Sequence, residues 1–261
     1  VKTDGETMYH FFVEPSQVHT DEIEILGGDV NHISSVLRMK AGEEIIVSDG
    51  YGNEYGCRLC RFTETAVYAG ILEKRRVASE LSSRITLFQC LPKGDKMELI
   101  VQKAVELGVS EIVPVASRRC VVKLDAKKEM NKRKRWQAVA ESAAKQSGRA
   151  MIPQVLPVVC FSDALLQAKE PDVCLIPYEC AEELLKDGQN SAMQRTREIL
   201  NGVQKGQSVG IFIGPEGGFE KEEIEAAMQM GAQPVSLGKR ILRTETAGLC
   251  ILSVLMFQLE E

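Results

Sequence analysis

Two short segments near the C-terminus combine glycine with charged residues in a way that favours ligand binding. In the first, an apolar run ends at Gly214–Gly218, which reads GPEGG. The second, Leu237–Ala247, reads LGKRILRTETA and sets opposite charges, Arg243 and Glu245, beside its backbone. Glycine lets a ligand approach backbone N–H and C=O groups closely. We therefore expect a small-molecule crevice at the carboxyl ends of two strands of an α/β sheet.

The first segment does not match the familiar phosphate-binding loops. It lacks the G-x-G-x-x-G spacing of dinucleotide-binding folds, and no Gly-Lys-Ser/Thr follows it as in a P-loop. Glu216 within the loop would repel a pyrophosphate. A neutral or cationic ligand fits better, such as an adenosine that carries a sulfonium. The alternative is two tight turns with a glycine-rich connector and no ligand.

Residues 84–261 alternate buried-type strands with helices, which predicts a parallel sheet covered on both faces. The predicted strands are Ile85–Leu91, Glu111–Val115, Val173–Ile176, Val209–Ile213 and Pro234–Leu237. The predicted helices are Lys96–Leu107 and Glu129–Gln146. For the first of these helices we expect Asp95 as the N-cap and Glu98 as its capping-box partner.

Residues 8–73 instead predict a small β-barrel domain, because short strands are separated by turn signals. The predicted strands are Tyr9–Val13, Glu44–Ser48, Glu54–Arg61 and Thr65–Leu72, with one helix at Val30–Leu37. The charged stretch Lys74–Ser83 predicts a linker to the second domain.

The segment Thr244–Leu259 predicts a closing helix that is apolar on nearly all sides. A helix of this kind needs burial beyond one face of a sheet. A subunit interface would supply that burial, so we expect a homodimer.

Composition excludes several classes of protein. A net charge of −5 argues against a generic nucleic-acid binder, and no stretch is long and apolar enough to span a membrane. The eight cysteines show no disulfide framework, so we expect reduced thiols in a cytoplasmic protein. Cys57 and Cys60 are three apart on a strand and face opposite sides, so we interpret them as packing residues rather than zinc ligands. No metal site is expected.

Taken together, the two C-terminal segments resemble the paired motifs of the SPOUT class of methyltransferases. More narrowly, they resemble the ribosomal RNA small subunit methyltransferase E family. Three further segments are similar to that family, namely Asn31–Met39, Lys93–Val109 and Glu141–Arg149. The similar segments extend from residue 31 to 247 and thus cover most of the chain.

The resemblance implies a fold, a reaction and partners. The fold is a SPOUT-type parallel sheet with a C-terminal trefoil knot, preceded by a small PUA-like β-barrel domain that binds RNA. The reaction is methylation of N3 of a uridine in 16S ribosomal RNA of the small ribosomal subunit. S-adenosyl-L-methionine (SAM) is the methyl donor, and no metal takes part.

The resemblance also implies roles for individual residues. The cofactor-binding positions are Gly214, Glu216, Gly217, Gly218, Leu237, Leu242, Thr246 and Ala247. Arg243 is expected to stabilise oxygen charge that develops on the uridine, and Glu245 to accept the N3 proton or to orient Arg243. An ion pair between the two that merely fixes the loop is the alternative. Arg149 is expected either to hold a phosphate or the target base, or only to compensate a helix dipole.

Basic residues outside these loops are candidates for RNA contact. They are Arg38, Lys93, Lys96, Lys132, Arg133 and Arg135. The last three belong to the dense cluster Lys127–Arg135, next to Trp136. Solvated surface charge is the alternative for each of them.

Two other functions compete with this interpretation. One is a non-catalytic RNA-binding or ribosome-assembly protein built on the same scaffold, against which the intact glycine and Arg-Thr-Glu-Thr segments argue. The other is a SPOUT enzyme that methylates a ribose hydroxyl or a different base.

Overall fold

The computed structural model describes residues 2–3, 6–76, 79–184 and 191–260. These residues form two compact units. The first unit comprises residues 1–80 together with 144–152, and the second comprises 81–143 together with 153–261. The predicted linker Lys74–Ser83 lies partly outside the described residues, which leave out 77 and 78. Within the described ranges, no helix is both long and apolar enough to cross a membrane.

The first unit is built mainly from β-strands. Its strands are β1 Lys2–Thr3, β2 Glu6–Thr7, β3 Tyr9–Phe12, β4 Glu22–Leu26, β5 Glu44–Ser48, β6 Asn53–Phe62 and β7 Ala66–Arg76. A 3-10 turn covers Pro15–Gln17, and the short helix α1, Gly28–Asn31, runs into a π-helical stretch at His32–Val36. β3 to β7 form one sheet in the order β3-β5-β6-β7-β4, and only β3 with β5 is parallel.

Alternating side chains explain this sheet. In β4, Ile23 and Ile25 are fully buried, whereas Glu22 and Glu24, which alternate with them, face outward. The sequence prediction missed β4 because only three of its five residues are apolar, and its pairing with β7 is what secures it. Cys57 is buried and Cys60 is exposed, so the two do face opposite sides of β6, but only Cys57 packs in the core.

The second unit is an α/β unit whose sheet is entirely parallel among the described pairings. Its strands are β8 Ile85–Cys90, β9 Glu111–Ala116, β10 Gln154–Val155, β11 Val159–Cys160, β12 Val173–Pro177, β13 Val209–Ile213 and β14 Gln233–Val235. They lie in the order β10-β9-β8-β13-β12-β14, and β11 also pairs with β9. The predicted parallel sheet is therefore confirmed.

Helices connect these strands. They are α2 Lys96–Glu106, α3 Ala126–Ser147, α4 Phe161–Gln167, α5 Ala192–Gly202, α6 Lys221–Gln229 and α7 Thr244–Leu259, with a 3-10 turn at Ala181–Leu184. The last four residues of α3 belong to the first unit. Every residue of β8 and β13 is buried, as expected for strands covered on both faces. Phe88 and Phe212 stack across these two strands with ring centroids 4.5 Å apart.

One detail of α2 differs from the prediction. Asp95 occupies the N-cap position, but its side chain makes no capping hydrogen bond. Glu98 does not complete a capping box, because its carboxylate instead accepts a hydrogen bond of 2.8 Å from Arg135 Nη2 and forms an ion pair of 2.8 Å with Arg135 Nε of α3. A charged partner on another helix thus outweighs the local cap.

Candidate active site

The strand order of the second unit opens a crevice over the end of β12. β13 and β14 both pair with β12, one on each side. Neighbouring strands are ~4.8 Å apart, so the ends of β13 and β14 are separated by roughly 10 Å. The glycine loop Gly214–Gly218 follows β13, and the loop that begins at Ser236 follows β14. The two predicted ligand loops therefore flank one gap at the carboxyl edge of the sheet.

A chain of buried hydrogen bonds ties these loops together. Thr244, the first residue of α7, donates its hydroxyl to the carbonyl of Gly214 over 2.6 Å. Gln89 of β8 donates its amide to the Thr244 hydroxyl over 3.0 Å and to the carbonyl of Cys90 over 2.9 Å. Both side chains are buried. The start of α7 is thus fixed against the start of the glycine loop.

The glycine loop needs its glycines for two different reasons. Gly218 has φ +67°, a left-handed conformation that favours glycine, and nothing lies within 4 Å of the position a Cβ would take. Gly214 and Gly217 are instead crowded, because a Cβ would come within 3.2 Å of the Phe219 ring or 3.3 Å of the Arg119 side chain. Gly218 therefore borders open space, and the other two permit close packing.

A lysine links both ligand loops to α2. The Lys96 ammonium lies 3.1 Å from Glu216 Oε1 and 3.2 Å from Glu245 Oε2. The backbone N–H of Lys93 also donates to Glu216 Oε1, over 3.0 Å. Glu245 Oε2 is buried. It forms the ion pair with Lys96 but accepts no hydrogen bond of good geometry from the described residues. Sequence reasoning assigned Lys96 to RNA and missed this cluster, because its members are more than a hundred residues apart in the chain.

Contacts within the cluster shift the pKa values of Lys96 and Glu216. The hydrogen bond to Glu216 raises the pKa of Lys96, burial opposes that rise, and Glu245 adds to it. Burial pushes the pKa of Glu216 upward, but backbone N–H groups of Glu216 and Lys93 and the Lys96 ammonium together bring it below its usual value. Both shifts favour the charged forms, so the ion pair of Lys96 with Glu216 is present at neutral pH.

Arg243 and Glu245 do not pair with each other. Arg243 occupies the N-cap position of α7 and is exposed, and the described residues offer its guanidinium no ion pair. Glu245 points to Lys96 instead. Among the described contacts, neither the expected orientation of Arg243 by Glu245 nor the alternative ion pair is present. The guanidinium is left available to a ligand.

The second loop presents apolar side chains around the crevice. Ile241 is 78% exposed, and Leu237 and Leu242 are partly exposed. Gly238 has φ +110°, and the position of its absent Cβ lies 3.6 Å from Met193 of α5. Thr246 is exposed and Ala247 partly so, one turn into α7. Half-exposed apolar groups beside backbone amides suit a flat heterocycle.

Two arginines after β9 brace the glycine loop, a feature that sequence reasoning missed. Arg119 donates from Nη1 to the carbonyl of Gly217 over 2.8 Å. Arg118 pairs with Glu220 at 3.1 Å, and its backbone N–H donates to Glu223 over 3.0 Å. The adjacent Arg-Arg pair at a strand end was the available signal, but its partners lie about a hundred residues away.

Comparison with known proteins identifies the family. A model for an RNA methyltransferase domain matches residues 79–256, and a model for an RNA methyltransferase PUA domain matches residues 25–61. Ribosomal RNA small subunit methyltransferase E of Bacillus subtilis (strain 168) is 38% identical to this chain, over 97% of this chain and 98% of that protein. The chain belongs to the ribosomal RNA small subunit methyltransferase E family. The resemblance that the motifs indicated is thereby confirmed.

Further relatives support the same assignment. The protein of the same name from Mesomycoplasma hyopneumoniae is 36% identical over 94% of this chain and 98% of its own length. The crystal structure of a ribosomal RNA small subunit methyltransferase E from Neisseria gonorrhoeae, bound to S-adenosyl methionine, has 33% identity and a TM-score of 0.79. That match covers 97% of this chain and 98% of the other. The PUA-like character predicted for the N-terminal part is confirmed by the family match.

The basic residues that sequence analysis proposed as RNA contacts have varied surroundings. In the second unit Lys93 and Arg133 are exposed, Lys132 is partly buried, and Arg135 is held by Glu98. In the first unit Arg38 is exposed and, unusually for a residue other than glycine, has φ +54°.

Arg149, in the first unit, is buried rather than presented to solvent. Its Nη2 lies 2.6 Å from Glu80 Oε2, and its Nε also donates to that carboxylate. Glu80 in turn accepts backbone N–H bonds from Ala150 and Met151. In this arrangement Arg149 orders the segment that follows α3.

Metal-ligating side chains are dispersed in this member of the family. Among the described residues, no group of three or more His, Cys, Asp and Glu side chains is placed to hold a metal ion. The described cysteines are all free thiols.

Removing the Thr244 hydroxyl tests the buried hydrogen-bond chain. Thr244→Val keeps the shape but leaves the Gly214 carbonyl and the Gln89 amide without this partner. We expect the free energy of unfolding of the second unit to fall by roughly 1–3 kcal/mol, since unsatisfied buried groups cost about that much. Denaturant unfolding followed by the fluorescence of Trp136, the chain's single tryptophan, measures it.

Two variants serve as controls for this change. Thr244→Ser keeps the hydroxyl and should retain most of the stability. Ser253→Ala removes an exposed hydroxyl that bonds within the same helix, so its effect should stay small. Equal losses for Thr244→Val and Ser253→Ala would contradict the importance of the buried chain.

Proposed function

We propose that this protein is a SAM-dependent methyltransferase that methylates N3 of a uridine in 16S ribosomal RNA of the small subunit. The observation that carries the proposal is similarity over nearly the whole chain to relatives named ribosomal RNA small subunit methyltransferase E. A relative whose structure is bound to S-adenosyl methionine supports the cofactor. The choice of N3 of uridine rests on the family resemblance.

The crevice over β12 fits SAM on three counts. Gly218 borders open space, as a cradle for a ligand requires. The exposed and half-exposed apolar residues of the second loop suit an adenine ring. Glu216 and Glu245 outnumber Lys96, so the cluster is net negative and complements a sulfonium cation rather than a phosphate. We assign cofactor binding to Gly214, Glu216, Gly217, Gly218, Leu237, Leu242, Thr246 and Ala247.

The protein's own residues would promote the transfer by charge and orientation. When bound, SAM supplies an activated methyl group on its sulfonium. The neutral imide of uridine is a poor nucleophile at N3, so its proton must leave and negative charge spreads to the carbonyl oxygens. The exposed Arg243 guanidinium is available to stabilise that charge. Glu245 is positioned by its ion pair with Lys96 and is our candidate proton acceptor.

The remaining parts of the proposal concern partners and topology. Residues 8–73 serve as the RNA-binding domain and residues 84–261 as the methyltransferase domain. Arg38, Lys93, Lys132 and Arg133 contact RNA. The C-terminal trefoil knot, the homodimer and a cytoplasmic location belong to the same proposal.

Backbone strain at Gly218 can be separated from loss of the cofactor site. Gly218→Val and Gly231→Val both force a branched side chain into a left-handed conformation, with φ +67° and +96°, and both face open space. Gly231 precedes β14, at the opposite end of the sheet from the crevice. We expect both variants to lose similar stability, but only Gly218→Val to lose SAM affinity, by at least about tenfold. Calorimetric titration with SAM measures this, and unchanged affinity in Gly218→Val would place the cofactor elsewhere.

The dimer prediction needs a different probe from the one that sequence suggests. Leu255 lies within the apolar segment that predicts the dimer, but it is fully buried within the second unit, so its replacement would damage the fold itself. Phe257 is 85% exposed and Val254 44% exposed on α7. We expect light scattering to give a dimer for the unaltered protein and a monomer for Phe257→Asp, because a buried unpaired charge is costly. Leu166→Asp, at an exposed apolar position on α4, should leave the dimer intact.

Nucleoside analysis tests the function itself. The protein and methyl-labelled SAM are incubated with small subunits that lack the modification, and separately with naked 16S RNA. We expect label in 3-methyluridine, chiefly from subunits, since a net-negative protein grips few phosphates and relies on RNA shape. Label in a ribose-methylated nucleoside would favour the other SPOUT activity, and no label from either RNA would favour the non-catalytic alternative.

The same assay tests the lysine at the centre of the cluster. Lys96→Met removes the cation between the two carboxylates, so we expect turnover to fall by at least about tenfold. Lys103→Met serves as the control, because Lys103 lies on the same helix and, among the described residues, its side chain pairs only with its neighbour Glu106. Equal turnover in the two variants would show that the cluster does not serve the reaction.

A further inference from the structure

A cavity of about 210 Å³ lies in the second unit beside the N-terminus of α2. Its buried floor is formed by Leu91, Pro92 and Met97, and Gly94 and Asp95 are exposed at its mouth. Pockets for drug-sized ligands are ~300–1,000 Å³, so this one suits a smaller, flat group. It is large enough to take a single pyrimidine base.

The lining combines an aromatic side chain with two opposite charges. Trp136 of α3 is almost fully buried and forms part of the wall. The Lys132 ammonium lies 6.0 Å from the centre of its ring, and Lys132 also lines the cavity. An aromatic wall with a neighbouring cation is a recurrent way of holding an unstacked base.

Asp95 supplies the complementary hydrogen-bond acceptor. It occupies the N-cap position of α2, where an aspartate usually binds its own helix, but it makes no such bond. Its carboxylate at the mouth is therefore free to accept a ligand N–H, and the Lys132 ammonium can donate. Adjacent donor and acceptor groups are what the imide edge of uracil presents, as N3–H beside a carbonyl oxygen.

The loop that lines this cavity also contacts the proposed reaction cluster. Gly94 and Asp95 border the cavity, whereas the flanking residues Lys93 and Lys96 bond to Glu216. A base seated here would be separated from the Glu216 and Glu245 carboxylates only by one short loop. Because Asp95 would hold the N3–H of this base, the base seated here is a neighbour of the one whose N3 is methylated. We propose that this cavity is a subsite for a uridine base next to the methylated one, turned out of the RNA strand, with Trp136 as its wall and Asp95 and Lys132 reading its edge.

This inference rests on the proposed function for its ligand, but it can be tested without the reaction. Trp136 is the only tryptophan of the chain, so its fluorescence reports on this cavity alone. The protein is titrated with uridine 5′-monophosphate and, separately, with ribose 5-phosphate, and is excited at wavelengths that nucleotides do not absorb. We expect saturable quenching by the nucleotide and none by the sugar phosphate. Equal responses to both, or no response to the nucleotide, would overturn the subsite.

Variants at the cavity provide matched controls. Lys132→Met and Asp95→Asn should each weaken the nucleotide response by roughly tenfold, since each loses a hydrogen bond to a charged group. Lys134→Met removes a neighbouring charge of the same basic cluster that is exposed and does not line the cavity, so it should leave the response unchanged. A similar loss in all three variants would show that the quenching by the nucleotide depends on the general charge of this surface and not on the cavity.

The methylation assay separates this inference from the function. If small subunits are methylated at the same rate by Lys132→Met and Lys134→Met, and the nucleotide does not quench Trp136, the subsite is refuted while the activity stands. If the nucleotide quenches Trp136 with the expected dependence on Lys132 and Asp95, but no RNA is methylated, the subsite stands and the proposed activity fails.

Discussion

The arrangement of the candidate site depends on a single ammonium group between two carboxylates. Lys96 joins the start of α2 to the glycine loop through Glu216 and to the start of α7 through Glu245. Without that cation the two carboxylates would repel each other, and one of them would tend to take up a proton. Three of the segments that the family resemblance marks are thus joined by one positive charge, that of Lys96.

The parallel sheet makes this contact possible. β8 pairs directly with β13, so the segment after β8 and the segment after β13 emerge side by side. Gln89 of β8 reaches Thr244, and Lys96, at the start of the next helix α2, reaches Glu216 and Glu245. The buried hydrogen bonds therefore hold the glycine loop at the carbonyl of Gly214. The ion-pair cluster holds the same loop at the side chain of Glu216.

Much of the fold could be predicted from sequence, because local patterns carry it. The limits of β13 and α7 agree with the predictions to the residue, and the glycine loop was recognised from its composition. Partners could not be predicted in the same way. The strands predicted for the second sheet read as similar apolar runs, so their sequences do not reveal that β8 neighbours β13. The role of Lys96 follows from that neighbouring position. For the same reason, sequence alone proposed Arg135 as an RNA contact. In the structure its guanidinium is bound by Glu98, which lies 37 residues earlier in the chain.

One helix connects the site to the rest of the molecule. α7 contributes Thr244 to the buried chain and Glu245 to the ion-pair cluster at its first turn, and exposes Phe257 at its last. Its middle is anchored by buried residues such as Ile251 and Leu255, and its two ends belong to one continuous helix. Any partner that covers Phe257 therefore acts on a helix whose other end sets the position of Glu245 and of the glycine loop. The apolar helix α7 predicted a subunit interface. By this geometry, it is also the element that would transmit the effect of subunit association to the crevice.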